Sequence, residues 1–268
     1  MGLLMFDASY NQIWGTFLGG ASSEEGFTCV FDQNDNLFFA GGTDGAEPGI
    51  LINLPGAYNQ STYGGGSEDV LMGKFNSNGQ LVWCSLFGGD GNDAQRGQMG
   101  FPAQLLIQPT TGELIMGFNT FSTNLPIVNL PGAYNKTVPT NSNYGPSGSG
   151  SFWNYAGYIC KFSTSCALNY ATYYYTQDGG GDLIENMVYG GCDKLYIGSV
   201  GDSQKQLSGA SSGYNLLNAT GSGRDGYITM FDRNTYAFQW DSYIDSNIAG
   251  DCIVAANIAQ ARFYALVP

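Results

Sequence analysis

Short apolar runs separated by turn-forming residues recur along the chain, and no stretch has the apolar spacing of a helix. One run in each repeat begins with an aromatic residue: Trp14, Trp83, Tyr170 or Trp240. We call these four the anchor residues. Their spacings of 69, 87 and 70 residues indicate a repeated unit longer than a single hairpin.

Each unit contains four apolar runs, which predict four antiparallel strands. The run before an anchor ends in phenylalanine, at Phe75, Phe162 and Phe231, 8 or 9 residues upstream of the anchor. Asn, Asp and Gly fill the gap, as in a hairpin turn. Two further runs follow each anchor, and in the first repeat they cover 26–31 and 37–40.

Four-stranded units repeated head to tail predict an all-β protein, specifically a β-propeller of four-stranded antiparallel blades. Small residues follow most anchors, so we expect the anchor strand to be the innermost strand of its blade. The prediction is one domain over residues 1–268, with blades at about 13–75, about 81–162, about 168–231, and about 238–267 plus 1–6.

The two ends of the chain predict how the array closes. Residues 1–6 match the strand that precedes an anchor, and 263–267 match the third strand of a unit. We therefore expect four blades, with the last closed by the N-terminal strand, which would hide two sheet edges. The alternative is a fragment of a larger propeller. The distance from residue 4 to residue 265 distinguishes them, because paired strands lie about 5 Å apart.

Composition restricts the chemistry. With 22 Asp and Glu against 9 Lys and Arg, the net charge is −13, which disfavours nucleic acid and anionic membranes as partners. The chain has no apolar run of 18 residues, so we expect no direct membrane insertion. Histidine is absent, which excludes Ser-His-Asp and Cys-His catalysis and His-based zinc sites. An enzyme would have to use carboxylates, tyrosines or metal-bound water, for example as a two-carboxylate glycosidase.

Four segments together resemble the SBBP-type β-propeller repeat, namely 14–20, 34–43, 54–59 and 64–75. The first repeat matches along its whole length and the second nearly so, whereas Tyr175-Thr176 and Asp245-Ser246 replace the Gly-Gly pair in the later ones. The resemblance implies a surface or adhesion module of a secreted bacterial protein, of the gliding-motility-associated, type IX-exported kind. It brings no catalytic residues, and it implies seven blades where this chain supplies four.

A Gly-rich loop with acidic residues follows each anchor strand, and we expect these loops to surround one mouth of the central channel. The candidate ligands are Glu24, Asp93, Asp182 and Asp251. Clustered carboxylates suit calcium, the one cofactor the sequence leaves possible, or a cationic group. Alternatively, they accept backbone N–H bonds and hold the loops in shape.

The loop between 137 and 155 is rich in aromatic residues among Gly, Ser, Asn and Pro. Its binding candidates are Tyr144, Phe152, Trp153 and Tyr155. Exposed rings in a polar loop are a platform for a sugar or for an apolar side chain of a partner. The alternative is that they fold back over the edge of the blade.

One heptapeptide occurs twice, at 53–59 and 129–135, and predicts a proline-initiated turn used in packing. The last residue of each copy, Asn59 or Asn135, is the asparagine of an N-x-S/T sequon, and a third sequon begins at Asn218. Among the six cysteines, Cys166 and Cys192 are the predicted disulfide, because they lie at facing ends of two strands that we expect to be neighbours.

The sequence as a whole predicts a non-enzymatic binding or structural module that is extracellular or attached to a bacterial cell surface. Its partner would be a protein or a glycan held by propeller loops, and the chain would be part of a larger polypeptide or assembly. Two alternatives stay open. One is a carbohydrate-active enzyme with carboxylates at the channel mouth, and the other is an architectural cap or spacer in a surface or secretion assembly.

Overall fold

The computed structural model describes residues 1–45, 49–94, 103–140, 144–145, 155–175, 183–202, 224–244, 253–257 and 262–266 of the 268-residue chain. Every regular element within these residues is a β-strand, and none is a helix. The strands are β1 (Gly2–Phe6), β2 (Gln12–Phe17), β3 (Glu24–Phe31), β4 (Leu37–Thr43), β5 (Asp69–Phe75), β6 (Leu81–Phe87), β7 (Gln104–Ile107), β8 (Leu114–Thr120), β9 (Ala156–Phe162), β10 (Leu168–Tyr174), β11 (Leu183–Gly190), β12 (Lys194–Asp202), β13 (Arg224–Asp232), β14 (Phe238–Ile244), β15 (Ile253–Asn257) and β16 (Arg262–Leu266).

Twelve of these strands form three four-stranded antiparallel sheets. The first sheet contains β3 to β6, the second β7 to β10 and the third β11 to β14, and strands adjacent in sequence are adjacent in each sheet. Hairpin connections suffice to make such a sheet. The predicted all-β architecture of four-stranded antiparallel sheets is thus confirmed.

Each sheet begins one strand later than the predicted blade: its first strand is the one that follows an anchor strand, not the anchor strand itself. The anchor strand β6 pairs with β5, and the anchor strand β10 pairs with β9. A tight turn with Gly79 at φ 75° holds β6 beside β5, because glycine adopts a positive φ without strain. The loop after each anchor strand instead leads to the next sheet. The predicted bounds of 13–75, 81–162 and 168–231 therefore group strands that belong to two different sheets.

The first strands of successive sheets contact one another, β3 with β7, β7 with β11, and β11 with β15. These contacts join the sheets through their first strands, whereas we predicted that the anchor strands would be innermost. β4 and β8 are buried along their whole length, because both faces of a middle strand are covered when sheets stack face to face.

The two ends of the chain form separate hairpins. β1 pairs with β2, and β15 pairs with β16, each as a two-stranded sheet. Among the described residues β16 is not hydrogen-bonded to β1, so the predicted fourth sheet from 238–267 plus 1–6 is not confirmed, and β14 from that range belongs to the third sheet. The match of each end of the chain to a strand of the repeated unit predicted which strands are equivalent. It did not predict whether the two terminal hairpins pair with each other.

Aromatic rings fill the space between neighbouring sheets. Three of the four anchor rings lie against a ring of the next sheet, with centroid distances of 5.4, 6.1 and 5.0 Å for the pairs Trp14–Phe75, Trp83–Phe162 and Tyr170–Tyr236. Such pairs add to the stability that comes from the buried apolar area. The recurring aromatic residues therefore belong to the core between sheets.

Candidate functional site

Two of the predicted acidic ligands occupy equivalent places, each opposite the threonine that ends the second strand of a sheet. Glu24 lies opposite Thr43, and Asp93 lies opposite Thr120. In both loops a glycine four residues earlier donates its N–H to the carboxylate, at 3.3 Å from Gly20 to Glu24 and 2.8 Å from Gly89 to Asp93. The carboxylates therefore hold the Gly-rich loops in shape, as one of the two interpretations predicts.

Asp93 is fully buried and its carboxylate is surrounded by donors. The hydroxyl groups of Thr120 and Ser122 donate to it at 2.5 and 2.8 Å, in addition to the N–H of Gly89. Desolvation nevertheless outweighs these bonds and raises the pKa of Asp93 to about 7. This carboxyl group has no open side from which a ligand could reach it.

A second buried carboxyl group belongs to Asp69, the first residue of β5. Its Oδ2 accepts the N–H of Gly64 at 2.7 Å, while its Oδ1 has no partner among the described residues. Gly88 packs directly against this carboxyl group and leaves no room for a side chain. Desolvation raises the pKa of Asp69 to about 7, so both buried groups titrate near neutral pH.

The calcium prediction is not tested by this geometry. Asp182 and Asp251 lie outside the described residues. Within the described ranges, no group of three or more Cys, Asp and Glu side chains is arranged to hold a metal ion.

Two of the four predicted aromatic ligands are turned towards the core. Tyr144 donates its hydroxyl to the carbonyl of Ser122 at 2.8 Å and packs edge-on against Tyr173. Tyr155 is fully buried, with its ring centroid 3.5 Å from that of Phe121. Their placement matches the alternative in which the rings fold back over the sheet. Phe152 and Trp153 lie outside the described residues.

The repeated heptapeptide is closed by its last asparagine. Oδ1 of Asn59 accepts the N–H of Leu54 at 3.0 Å, and Nδ2 donates to the carbonyls of Leu54 and Ala57 at 2.9 and 3.0 Å. Asn135 makes the same three bonds in the second copy. These amides are therefore engaged in the fold, which favours a structural role over a glycan acceptor. Asn218 lies outside the described residues.

Each heptapeptide is part of a longer stretch that covers the outer edge of an anchor strand. We call 52–60 and 128–136 the covering segments. Ile52 exchanges two backbone hydrogen bonds with Cys84 in β6, at 3.0 and 3.1 Å, and Val128 exchanges two with Ala171 in β10, both at 3.0 Å. The covering segments thus protect edges that would otherwise be open to other strands.

Two side-chain contacts recur in both covering segments. The indole Nε1 of Trp83 donates to the carbonyl of Tyr58 at 2.9 Å, and the hydroxyl of Tyr170 donates to the carbonyl of Tyr134. In addition, a hydroxyl oxygen accepts a backbone N–H at 2.8 Å in the pairs Ser85–Gln60 and Thr172–Lys136. The small residue after the anchor, which we took as the mark of an innermost strand, pairs with a covering segment at Cys84 and Ala171.

An acidic cleft of about 190 Å³ opens where β3 begins, β4 ends and β5 begins. It is lined by Ser23, Glu25, Asp44, Ser67 and Glu68. Three of these five residues are acidic and none is basic, so the cleft attracts cations and offers acceptors to hydroxyl and N–H donors. The sequence did not predict this cleft, because Asp44 and Glu68 follow Glu25 by about 20 and 40 residues.

The predicted disulfide is not formed. Cys166 and Cys192 are both free thiols, as are Cys29, Cys84 and Cys160. The prediction assumed that β10 and β11 are neighbours in one sheet, whereas they lie in the second and third sheets. Cys166 instead occupies the turn before β10 with φ 66°.

No family model matches the chain, and no curated protein matches it. Among the described residues there is no helix long and apolar enough to cross a membrane. The geometry of the clefts and strand edges therefore carries the functional argument.

Proposed function

We propose that this chain is a non-enzymatic binding module of a bacterial cell-surface protein, built as a four-bladed β-propeller that recognises a glycan or a protein through loops at one end. The observation that carries the binding role is the acidic cleft formed by Glu25, Asp44 and Glu68. Loops on a rigid sheet scaffold are frequent binding positions. The SBBP-type resemblance supports a secreted, surface-attached setting.

The exposed face of the N-terminal hairpin supports closure of the propeller. Leu4, Phe6, Ile13 and Phe17 are each at least half exposed on β1 and β2. An apolar face of this size indicates a missing contact. In a closed ring this hairpin would join β15 and β16, and Phe6 would face the anchor Trp240 as Phe75 faces Trp14.

The register of closure follows from the three complete sheets. In each of them, the leucine that opens the apolar run of the second strand pairs with the phenylalanine of the third: Leu37 with Phe75, Leu114 with Phe162, and Leu195 with Phe231. Phe263 and Phe6 hold these positions at the two ends of the chain. The same register places Ala265 opposite Leu4.

We expect a disulfide between the introduced cysteines of the double variant Leu4→Cys, Ala265→Cys after mild oxidation, because opposite residues of paired strands lie about 5 Å apart. Peptide mass spectrometry identifies the linkage. The matched control Met5→Cys, Ala265→Cys places the two thiols on opposite faces and should not cross-link. Absence of the bond in the first variant would favour a fragment of a larger propeller.

The cleft chemistry defines the ligand. Carboxylates on the ends of three adjacent strands can accept hydrogen bonds from neighbouring hydroxyl groups of a glycan or from a Lys or Arg side chain of a protein. The neighbouring serine hydroxyls of Ser23 and Ser67 add donors as well as acceptors. This mixture suits a polar ligand rather than an apolar one.

Binding to a glycan array should identify a ligand whose affinity falls about tenfold or more in Glu25→Gln, Glu68→Gln, because a hydrogen bond to a charged group contributes about 1.5 to 3 kcal/mol. Calorimetric titration of the glycan that the array selects measures the change. Asp35→Asn is the matched control, since Asp35 is exposed in the turn after β3, at the other end of that strand. Unchanged affinity in the double variant would contradict the assignment of the cleft.

The same carboxylates are the observation that favours a carbohydrate-active enzyme as the second candidate. Two carboxyl groups beside one bound sugar are the minimum for glycoside hydrolysis. Release of reducing ends from the selected glycan, lost in Glu25→Gln, Glu68→Gln, would support the enzyme over the binding module.

A further inference from the structure

The outer edge of β2 has the features that receive a covering segment in β6 and β10. The three strands carry equivalent residues: an anchor aromatic, then a small residue, then a hydroxyl residue, at Trp14–Thr16, Trp83–Ser85 and Tyr170–Thr172. No covering segment lies on β2 among the described residues.

The ladder positions show that these residues are equivalent in structure as well as in sequence. Gly15 pairs with Leu4, as Cys84 pairs with Gly73 and Ala171 with Cys160. At Cys84 and Ala171 the N–H and C=O point away from their own sheet and bond to the covering segment. By the same geometry, the N–H and C=O of Gly15 point out of the hairpin.

The indole of Trp14 provides an independent observation. Its Nε1 is buried and has no hydrogen-bond partner among the described residues. The corresponding donor of Trp83 bonds to the carbonyl of a covering segment, and so does that of Tyr170. A buried donor without an acceptor is costly, so a carbonyl supplied at this point would stabilise the complex.

A fourth contact fixes where the segment would end. The N–H of Tyr58 donates to the carbonyl of Cys166 at 2.9 Å, and that of Tyr134 donates to the carbonyl of Tyr236 at 2.9 Å. Both acceptors are turn residues with positive φ in the next sheet. Gly79 holds this place for β2: it has φ 75°, and the ring of Trp14 lies against it.

We propose that the outer edge of β2 is a binding site for an extended peptide that resembles the covering segments, with a β-branched residue followed by x-Leu-Pro-Gly-Ala-Tyr-Asn. The peptide pairs with the backbone of Gly15, and its tyrosine carbonyl accepts the indole N–H of Trp14. The second residue after the tyrosine donates its N–H to the hydroxyl oxygen of Thr16. The tyrosine N–H itself donates to the carbonyl of Gly79. This is strand addition to a sheet edge. It is independent of the acidic cleft.

The chemistry of the edge selects this occupant over a second copy of β2. The two covering segments satisfy the same set of acceptors and donors within this molecule, and both have identical sequences from Asn53 to Asn59 and from Asn129 to Asn135. They carry no charge in this stretch, so the acidic surface does not repel them.

The test is a titration of the whole protein into a fluorescein-labelled peptide of residues 50–61, followed by anisotropy. We expect saturable one-to-one binding. Trp14→Phe removes the indole donor and Thr16→Val removes the hydroxyl acceptor, and each should weaken binding about fivefold, the effect of one neutral hydrogen bond. Thr28→Val, a threonine in β3, is the matched control and should bind as the unchanged protein does.

A peptide with Ile52→Pro should not bind, because proline lacks the N–H that pairs with the strand. No saturable binding of the unchanged peptide, or equal affinity for Trp14→Phe, Thr16→Val and the unchanged protein, would overturn the proposal. So would sedimentation that shows self-association lost in Trp14→Phe, since the occupant would then be a second copy of the chain.

Discussion

Trp83→Ala is expected to lower the free energy of unfolding by about 3 to 5 kcal/mol, the usual cost of truncating a buried tryptophan. Trp83 is fully buried, packs on Phe162 of the next sheet, and donates its indole N–H to the carbonyl of Tyr58. The variant therefore loses core packing, an inter-sheet contact and one attachment of a covering segment together. Urea unfolding followed by circular dichroism measures the change.

Trp14→Ala is the matched control for this prediction. Trp14 is also an anchor residue, but it is only half-buried and its indole has no partner among the described residues. We expect the free energy of unfolding to fall by about 1 to 2 kcal/mol, because Trp14 buries less apolar area on folding than Trp83 does. Equal losses in the two variants would contradict the importance of the covering segment for the stability of β6.

Stability should decrease as the pH rises from about 4 to about 7. Asp69 and Asp93 keep their protons in the folded protein up to a pKa of about 7, against a value of 3.8 when they are solvated. The unfolded chain releases these protons at lower pH, so their contribution to stability is complete below pH 4 and is lost by about pH 7. Since one pKa unit corresponds to about 1.4 kcal/mol, the shift of Asp93 from 3.8 to about 7 makes its full loss about 4 kcal/mol.

Asp93→Asn should reduce this decrease by about half, because Asp69 continues to titrate while asparagine stays neutral. Chemical denaturation at a series of pH values gives the profile. Asp35→Asn removes the same charge from an exposed site and should leave the slope between pH 4 and pH 7 close to that of the unchanged protein. A stability that rises over this interval would show that the buried carboxyl groups are ionised in the fold.

Below about pH 4 the direction reverses. The hydrogen bond from the side chain of Asn11 lowers the pKa of Asp7, and the bond from the backbone N–H of Thr235 lowers the pKa of Asp232. Protonation of these groups removes stability that is present at higher pH. Stability is therefore expected to be greatest near pH 4.

Strand positions were predictable because each strand combines a short apolar run with strong turn residues. The turn at 76–79 shows how far this reaches: Asn76 accepts the backbone N–H groups of Asn78 and Gln80 through its side chain. Such bonds span four residues, so a sequence pattern can reveal them. The hairpin of β5 and β6 follows directly.

The grouping of strands into sheets could not be predicted in the same way. The loop after β2 is only six residues long, at 18–23, yet it leads out of the hairpin rather than back into it. Loop length and glycine content are compatible with both routes. The choice depends on contacts between inner strands that are 70 or more residues apart in the chain, such as β3 and β7.

The role of the acidic residues was open in the sequence for a related reason. Asp93 is a loop carboxylate like many others until Thr120 and Ser122, 27 and 29 residues later, place their hydroxyls beside it. The contacts of the covering segments were equally hard to predict, since Gln60 donates its N–H to Ser85, 25 residues away in the sequence. Local patterns reveal donors and acceptors, whereas the fold decides which of them meet.

The covering segments have a consequence for how the protein unfolds. Each one is anchored on its own sheet and bonded through one tyrosine N–H to a turn of the following sheet, at Cys166 and at Tyr236. A repeat array behaves as nearest-neighbour units whose coupling sets its cooperativity. Loss of one sheet therefore releases a backbone contact on the next, so that opening spreads along the array instead of staying within one repeat.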